Sequence, residues 1–202
     1  MLLLDRTVKS PRKPAQLLGS AVIEVLVVCT GNICRSPMAA GLLRHRLSQR
    51  GIDAHIHSAG LVTQDRPASE PGIDAMARRD IDIRTHRSRR LLADMVETAD
   101  LVIGMERNHV REAAVLAPDG LARTFTLPEL ARRCQAAGAR GAEESLPDYL
   151  GRIAAGRRPT DLLGDDPADE VDDPYGRSVR DYERTAVEIE GLVDLVVAHL
   201  FP

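Results

Sequence analysis

"VIEVLVVCTGNICRSPMAA", residues 22–40, joins a nearly unbroken apolar, β-branched run to a short polar turn and then to a helical pattern. Val22 to Val28 has the character of a strand buried on both faces, as in a parallel sheet. Ser36 and Pro37 then supply an N-cap and a first-turn proline, Met38, Leu42 and Leu47 form one helical stripe, and Gly51 stops the helix. A buried strand that ends at Cys29 and reopens as a helix after one turn is the unit from which open α/β sheets are built.

The same alternation continues downstream. "DAHIHSAG" (53–60) reads as a second strand and "PGIDAMARR" (71–79) as a helix; "SRRLLADMVETA" (88–99) reads as a helix feeding the strand "DLVIGM" (100–105). A helix over 107–116, a fourth strand "ARTFTL" (122–127) and a helix "PELARRCQAA" (128–137) follow. Val179, Tyr182, Ala186, Ile189, Val193, Val196 and Leu200 recur at helical spacing and predict a long closing helix. The expected fold is therefore α/β: a doubly wound, Rossmann-like, four-stranded parallel sheet with helices on both faces and a phosphate-binding loop after the first strand. The domain is expected over 21–202, after a flexible extension over 1–20 that mixes charges and prolines without periodicity. Between about 138 and 172 the alternation breaks into a Gly/Ala segment, a short helix "PDYLGRIAAG" and the acidic run "DLLGDDPADEVDD". That run reads as a solvated loop, since it lacks the spaced ligands and the glycine of a calcium loop.

Composition narrows the function classes. The 202-residue chain is 44% hydrophobic and 28% charged, as suits one globular domain with a full core. A formal net charge of −3 argues against broad nucleic-acid or anionic-membrane binding, and a chain with no Trp, 3 Tyr and 2 Phe lacks platforms for stacking bases. The opening "MLLLDRTVKSPRKPAQ" has too short an apolar run for a signal peptide or a membrane span, so a cytoplasmic location is expected. Three cysteines fit a reducing compartment better than a disulfide framework.

The turn itself carries the chemistry. A strand-turn-helix junction aims unpaired N–H groups and the positive end of the helix dipole at whatever fills the turn. Gly31 and Asn32 tolerate positive φ, which lets successive N–H groups face inward as an anion nest with Thr30, Ile33 and Cys34. Arg35 adds a planar fork matched to two oxygens of a phosphate. A cysteine at the floor of such a nest gives up its proton readily, and Cys29 beneath a phosphoryl group would stand in line to attack phosphorus. Ser36 is placed to donate to that sulfur, and Asn32 and Ser58 to brace the loop. Cys34 has two readings, a filler on the far side of the loop or a second thiol that traps an oxidised Cys29. Cys134 reads as a packing residue. No zinc site is expected, because Cys29 and Cys34 have the wrong spacing and no second ligand pair follows.

A phenolic leaving group needs a general acid, whose conjugate base can later activate water. "VDDPYGRS" (171–178) offers Asp173, stiffened by Pro174, with Tyr175 as an aromatic face beside it. "VCTGNICRSPMA" together with "DDPYG" resembles the low-molecular-weight protein tyrosine phosphatases, a resemblance that extends over about 24–200 through "HSAG", "ADLVIGMERNHV" and the final helix. It implies Cys29 as nucleophile, Arg35 as phosphate binder and Asp173 as general acid. Asn32, Ser36 and Ser58 match that family's loop-supporting network. The substrate-contacting set is expected to be Thr30, Gly31, Asn32, Ile33, Cys34, Ser36 and Tyr175.

The implied reaction is hydrolysis of phosphotyrosine in proteins through a phosphocysteine, with no cofactor and no metal. Relatives acting on phosphoarginine carry Thr where this chain has Ile33, and an apolar Ile33 opposite Tyr175 suits a phenyl ring better than a guanidinium. Protein-arginine phosphatase is kept as an alternative, as is thioredoxin-coupled arsenate reductase, although no cysteine pair lies between Cys34 and Cys134 to serve as a relay. The implied partners are a tyrosine-phosphorylated protein and a tyrosine kinase, with the chain itself a monomer. His55 and His57 can share a strand face without making a metal site. Arg84, Arg87, Arg89 and Arg90 read as a solvated face, with a rim for acidic peptides as the other reading.

Overall fold

The computed structural model describes residues 22–202, so the extension expected over 1–20 lies outside the described residues. Four strands, β1 (Ile23–Cys29), β2 (Ala54–Gly60), β3 (Leu101–Gly104) and β4 (Thr124–Thr126), form one parallel sheet in the order β2-β1-β3-β4. The helices are α1 (Arg35–Gln49), α2 (Glu70–Ala77), α3 (Ala93–Thr98), α4 (Arg107–Leu116), α5 (Leu127–Ala137), α6 (Leu146–Ala154) and α7 (Val179–Leu200). Alternate residues of β1 serve opposite faces. Val25, Val27 and Cys29 pack into the larger core with α1, α5 and α7, whereas Leu26 and Val28 pack with Val96 of α3, Ala99 just after it and Ala113 of α4. The near-continuous apolar run of β1 is thus explained by burial on both sides.

The order places β1 between β2 and β3, so the chain leaves β1 toward one edge and returns to the other side. At such a switch point the loops after two adjacent strands diverge and leave a crevice beyond the strand ends. Here those loops follow Cys29 and Gly104.

Three expectations need correction. Ser36 does not cap α1: the cap position is Cys34, and Ser36 lies inside the first turn with its hydroxyl turned to the loop. The helix expected over 88–99 contracts to α3, and Ser88 to Leu92 runs outside any helix beside the end of β2, where Gly60 N–H donates to the Arg89 carbonyl at 2.8 Å and Leu91 N–H to the Gly60 carbonyl at 2.8 Å. Those tertiary bonds outweigh the helical pattern of the segment. The acidic run is not wholly solvated. It takes in the end of one 3-10 turn, Pro159–Leu162, and the whole of another, Pro167–Asp169, and Asp169 is only 6% exposed, accepting from Arg107 Nε at 2.7 Å and from Arg132 Nη2. Burial alone would raise the Asp169 carboxyl, but the Arg132 and Arg107 hydrogen bonds prevail and hold it below the ordinary carboxylate value.

Because that group is depressed in the folded chain, its contribution is present above the unfolded value and lost as pH falls through the acid range. Asp169→Asn is expected to lower unfolding free energy by about 1–3 kcal/mol at neutral pH, within the range for hydrogen bonds to charged groups. Urea titrations at neutral pH and below about pH 4 should show that difference shrinking in acid.

Candidate active site

The segment between β1 and α1 is shaped by where its carbonyls go. The Thr30 carbonyl accepts from Leu61 N–H at 2.8 Å and Val62 N–H at 3.1 Å, and the Ile33 carbonyl accepts from Ser69 N–H at 2.8 Å. The Gly31 carbonyl accepts from the Thr63 hydroxyl, and the Asn32 carbonyl from His86 Nε2 at 2.7 Å, which fixes the proton on that nitrogen. The Cys34 carbonyl accepts from Met38 N–H at 3.3 Å. In a planar trans peptide the N–H opposes the C=O, so a run of outward carbonyls turns the following N–H groups inward. Asn32 closes this turn with φ 50°, a left-handed conformation that Asn adopts more readily than most residues.

Cys29 Sγ lies at the floor, with Asn32 N–H at 3.1 Å and Ser36 Oγ at 3.0 Å converging on it. These two donors would solvate a negative charge on sulfur. Asn32 Nδ2 donates to Ser36 Oγ and to Ser58 Oγ, both at 2.8 Å, and Arg89 N–H donates to Asn32 Oδ1 at 2.9 Å. Every polar atom of the Asn32 side chain is thereby used in a fully buried position.

Arg35 is 2% exposed. Its Nη1 donates to Glu106 Oε2 at 3.0 Å and the Val171 carbonyl at 3.2 Å, while Nη2 meets Asp173 Oδ2 at 2.6 Å and Thr30 Oγ1 at 3.4 Å. Nε is buried with no hydrogen-bond partner among the described residues. A buried N–H without an acceptor is costly, and its natural partner is an anion in the adjoining cavity. That cavity is lined by Cys29, Thr30, Gly31, Ile33, Cys34 and Arg35 from the loop, by Val62, Thr63 and Arg66 from the segment after β2, and by Asp173 and Tyr175.

Most of the residues expected at the site therefore converge. Cys29, Arg35, Asp173, Ile33 and Tyr175 share one cavity, with Tyr175 67% exposed at its mouth. Asn32 and Ser36, expected among substrate contacts, have their side chains in the bracing network with Ser58 instead. Cys34 borders the cavity and bonds the Tyr182 hydroxyl at 3.2 Å, and burial pushes its thiol up. Cys134 is fully buried in α5, as a packing residue should be. His55 and His57 do share a strand face, stacked at 5.2 Å.

Glu106 and His109, from the turn after β3 and the start of α4, contact Arg35 and Thr30 and are not singled out by the residue pattern. His109 is fully buried, with Nε2 3.1 Å from the Thr30 hydroxyl and 3.5 Å from Glu106 Oε1. Burial, aided by the Arg35 charge, pushes its imidazole down to about 3. The signal that could have found both residues is topological, since they follow the strand adjacent to β1 at the switch point.

A family model described as "Low molecular weight phosphotyrosine protein phosphatase" matches residues 24–140. The low molecular weight protein-tyrosine-phosphatase Etp of Escherichia coli (strain K12) is 39% identical over 102 residues, 50% of this chain and 66% of Etp. A protein-arginine-phosphatase of Bacillus subtilis (strain 168) is 28% identical over 172 residues, 85% of this chain and 92% of that protein. Among solved structures, a low molecular weight protein tyrosine phosphatase from T. tengcongensis superposes with a TM-score of 0.67 at 29% identity, over 88% of this chain and 99% of its own.

Two outcomes follow from the geometry. A Cβ on Gly60 would stand 2.8 Å from both Asn32 Cβ and Asn32 N, so Gly60→Ala must displace the loop. Calorimetric titration with inorganic phosphate should show affinity reduced about tenfold or more, with circular dichroism unchanged. Because the His109 value is lowered on folding, the unfolded chain takes up the proton first, and stability is lost as pH falls below about 6.5. Urea denaturation should show a loss approaching about 1.4 kcal/mol per pH unit from this group, and a shallower slope in His109→Gln.

Proposed function

The chain belongs to the low molecular weight phosphotyrosine protein phosphatase family, and from that premise we propose that it hydrolyses phosphotyrosine in proteins to tyrosine and phosphate through a phosphocysteine. The observation that carries this reading is the unpartnered, buried Nε of Arg35, a residue that lines one cavity with Cys29, whose Sγ receives the Asn32 N–H at 3.1 Å. On this reading the phosphoryl oxygens accept from the loop N–H groups and from Arg35 Nε and Nη2. Asp173 then leaves Nη2 for the phenolic oxygen, while Glu106 and the Val171 carbonyl keep hold of Nη1.

Cys29 Sγ attacks phosphorus in line, the P–O bond to tyrosine breaks, and the protonated Asp173 carboxyl gives its proton to the departing oxygen. In the second step the Asp173 carboxylate takes a proton from water, the water oxygen attacks phosphorus, and the P–S bond breaks. Ser36 Oγ and Asn32 N–H, 3.0 and 3.1 Å from the sulfur, stabilise the thiolate as it leaves. Ile33 and Tyr175, both lining the cavity, flank the phenyl ring. The substrates are then tyrosine-phosphorylated proteins, and a tyrosine kinase must act on the same proteins. Among the described residues no helix is long and apolar enough to cross a membrane.

Hydrolysis of phosphoarginine is the second reading, favoured by the 85% coverage of this chain in the alignment with the B. subtilis protein-arginine-phosphatase. The apolar Ile33 in the cavity wall disfavours it, because a guanidinium there would leave N–H groups without acceptors.

Phosphate release from matched phosphotyrosine, phosphoarginine and phosphoserine peptides separates the two. Release from phosphotyrosine is expected to dominate, to vanish in Cys29→Ser, and to slow about a hundredfold or more in Asp173→Asn. Turnover retained by Cys29→Ser would remove the phosphocysteine, and a preference for phosphoarginine would install the second reading.

A further inference from the structure

Of the three charged side chains lining the cavity, two, Arg35 and Asp173, are joined by a 2.6 Å contact. The third, Arg66, is exposed and forms no hydrogen bond or ion pair through its guanidinium among the described residues. Its backbone, in contrast, is held firmly. Arg66 N–H donates to Ser88 Oγ at 2.9 Å, the Arg66 carbonyl accepts from Ser88 N–H at 2.8 Å, and the preceding Asp65 N–H donates to the Ser88 carbonyl at 2.7 Å. Pro67 then pairs with Arg87 in an antiparallel bridge. Thr63, in the same segment, is bonded to the Gly31 carbonyl of the loop, so the stalk that carries Arg66 is tied to the nest.

We propose that Arg66 is a specificity-determining residue that reads an acidic side chain next to the phosphotyrosine of the substrate. This inference rests on the phosphatase reading and names its substrate class. With the phenyl ring between Ile33 and Tyr175, the peptide backbone emerges at the mouth beside Val62 and Arg66, within reach of a long guanidinium. A planar fork with no internal partner matches a carboxylate of the incoming chain. Charged neighbours outside the cavity lining include pairs that are already formed. Asp172 pairs with Arg177 and Arg184, both at 3.0 Å, and Arg84 pairs with Asp82 at 2.7 Å outside the cavity lining. None of Arg84, Arg87, Arg89 and Arg90, read from the sequence as a solvated face with a peptide rim as the other reading, lines the cavity, whereas Arg66 does. Because the chain as a whole carries a formal charge of −3, this attraction is local and does not arise from the global field.

The experiment compares kcat/KM for two phosphotyrosine peptides that differ only in flanking Asp or Lys residues, measured on the same enzyme preparation so that the active fraction cancels in the ratio. The intact chain is expected to favour the acidic peptide about fivefold, as a partly exposed ion pair allows. The preference should shrink with added salt, flatten in Arg66→Ala and invert in Arg66→Glu. Equal rates on the two peptides, or a preference that survives Arg66→Glu, would overturn the assignment while leaving the phosphatase intact. Failure to hydrolyse either peptide or free phosphotyrosine would overturn both.

Discussion

The site depends on one constraint: five consecutive carbonyls, from Thr30 to Cys34, are all hydrogen-bonded to groups outside the loop. A loop left to itself would not hold its N–H groups in one concave array, because their dipoles repel and water competes for them. Here the acceptors are claimed by Leu61, Val62 and Thr63 after β2, by Ser69 before α2, by His86, and by Met38 in α1. The anion nest is thus the inner surface of a shell whose outer surface is satisfied by four separate segments.

The second element is a buried cation with partners on both of its terminal nitrogens. Arg35 is held on one nitrogen by Glu106 and the Val171 carbonyl, and on the other by Asp173, whose side chain is 42% exposed. A buried guanidinium needs compensation in every state, since an uncompensated charge is costly to keep out of water. Glu106 supplies it on Nη1, independently of the more exposed Asp173 on Nη2. His109, kept neutral by burial, orients the Thr30 hydroxyl without adding a second positive charge beside Arg35.

The segment between α5 and α7 links the two. Arg107 and Arg132 clamp Asp169, and two residues later Val171 N–H donates to the Met105 carbonyl at 2.8 Å while its own carbonyl accepts from Arg35. The acidic run is thereby anchored to the end of β3, and Asp173 is delivered to the cavity from a fixed point. Pro174 is buried behind it, and Tyr175 N–H donates to Asp173 Oδ1 at 3.1 Å, which orients the carboxyl.

The strand at Val22–Val28, the turn from Cys29 to Arg35 and the closing helix were legible in the sequence because each is a local pattern: continuous apolarity, a glycine-containing turn with a cysteine and an arginine at its ends, and a regular helical stripe. Together with the strand–helix alternation downstream, those patterns point to a parallel α/β sheet with an anion site after its first strand. The spacing alone could not show that Ser88–Leu92 would abandon a helix to line β2, that Asp169 would be buried against two arginines, or that Glu106 and His109 would stand behind Arg35. Each of those outcomes is settled by a partner more than 25 residues away in sequence, such as Gly60 for Arg89 or Arg107 for Asp169. Local propensity carries no term for hydrogen bonds or charges that only the tertiary structure brings together.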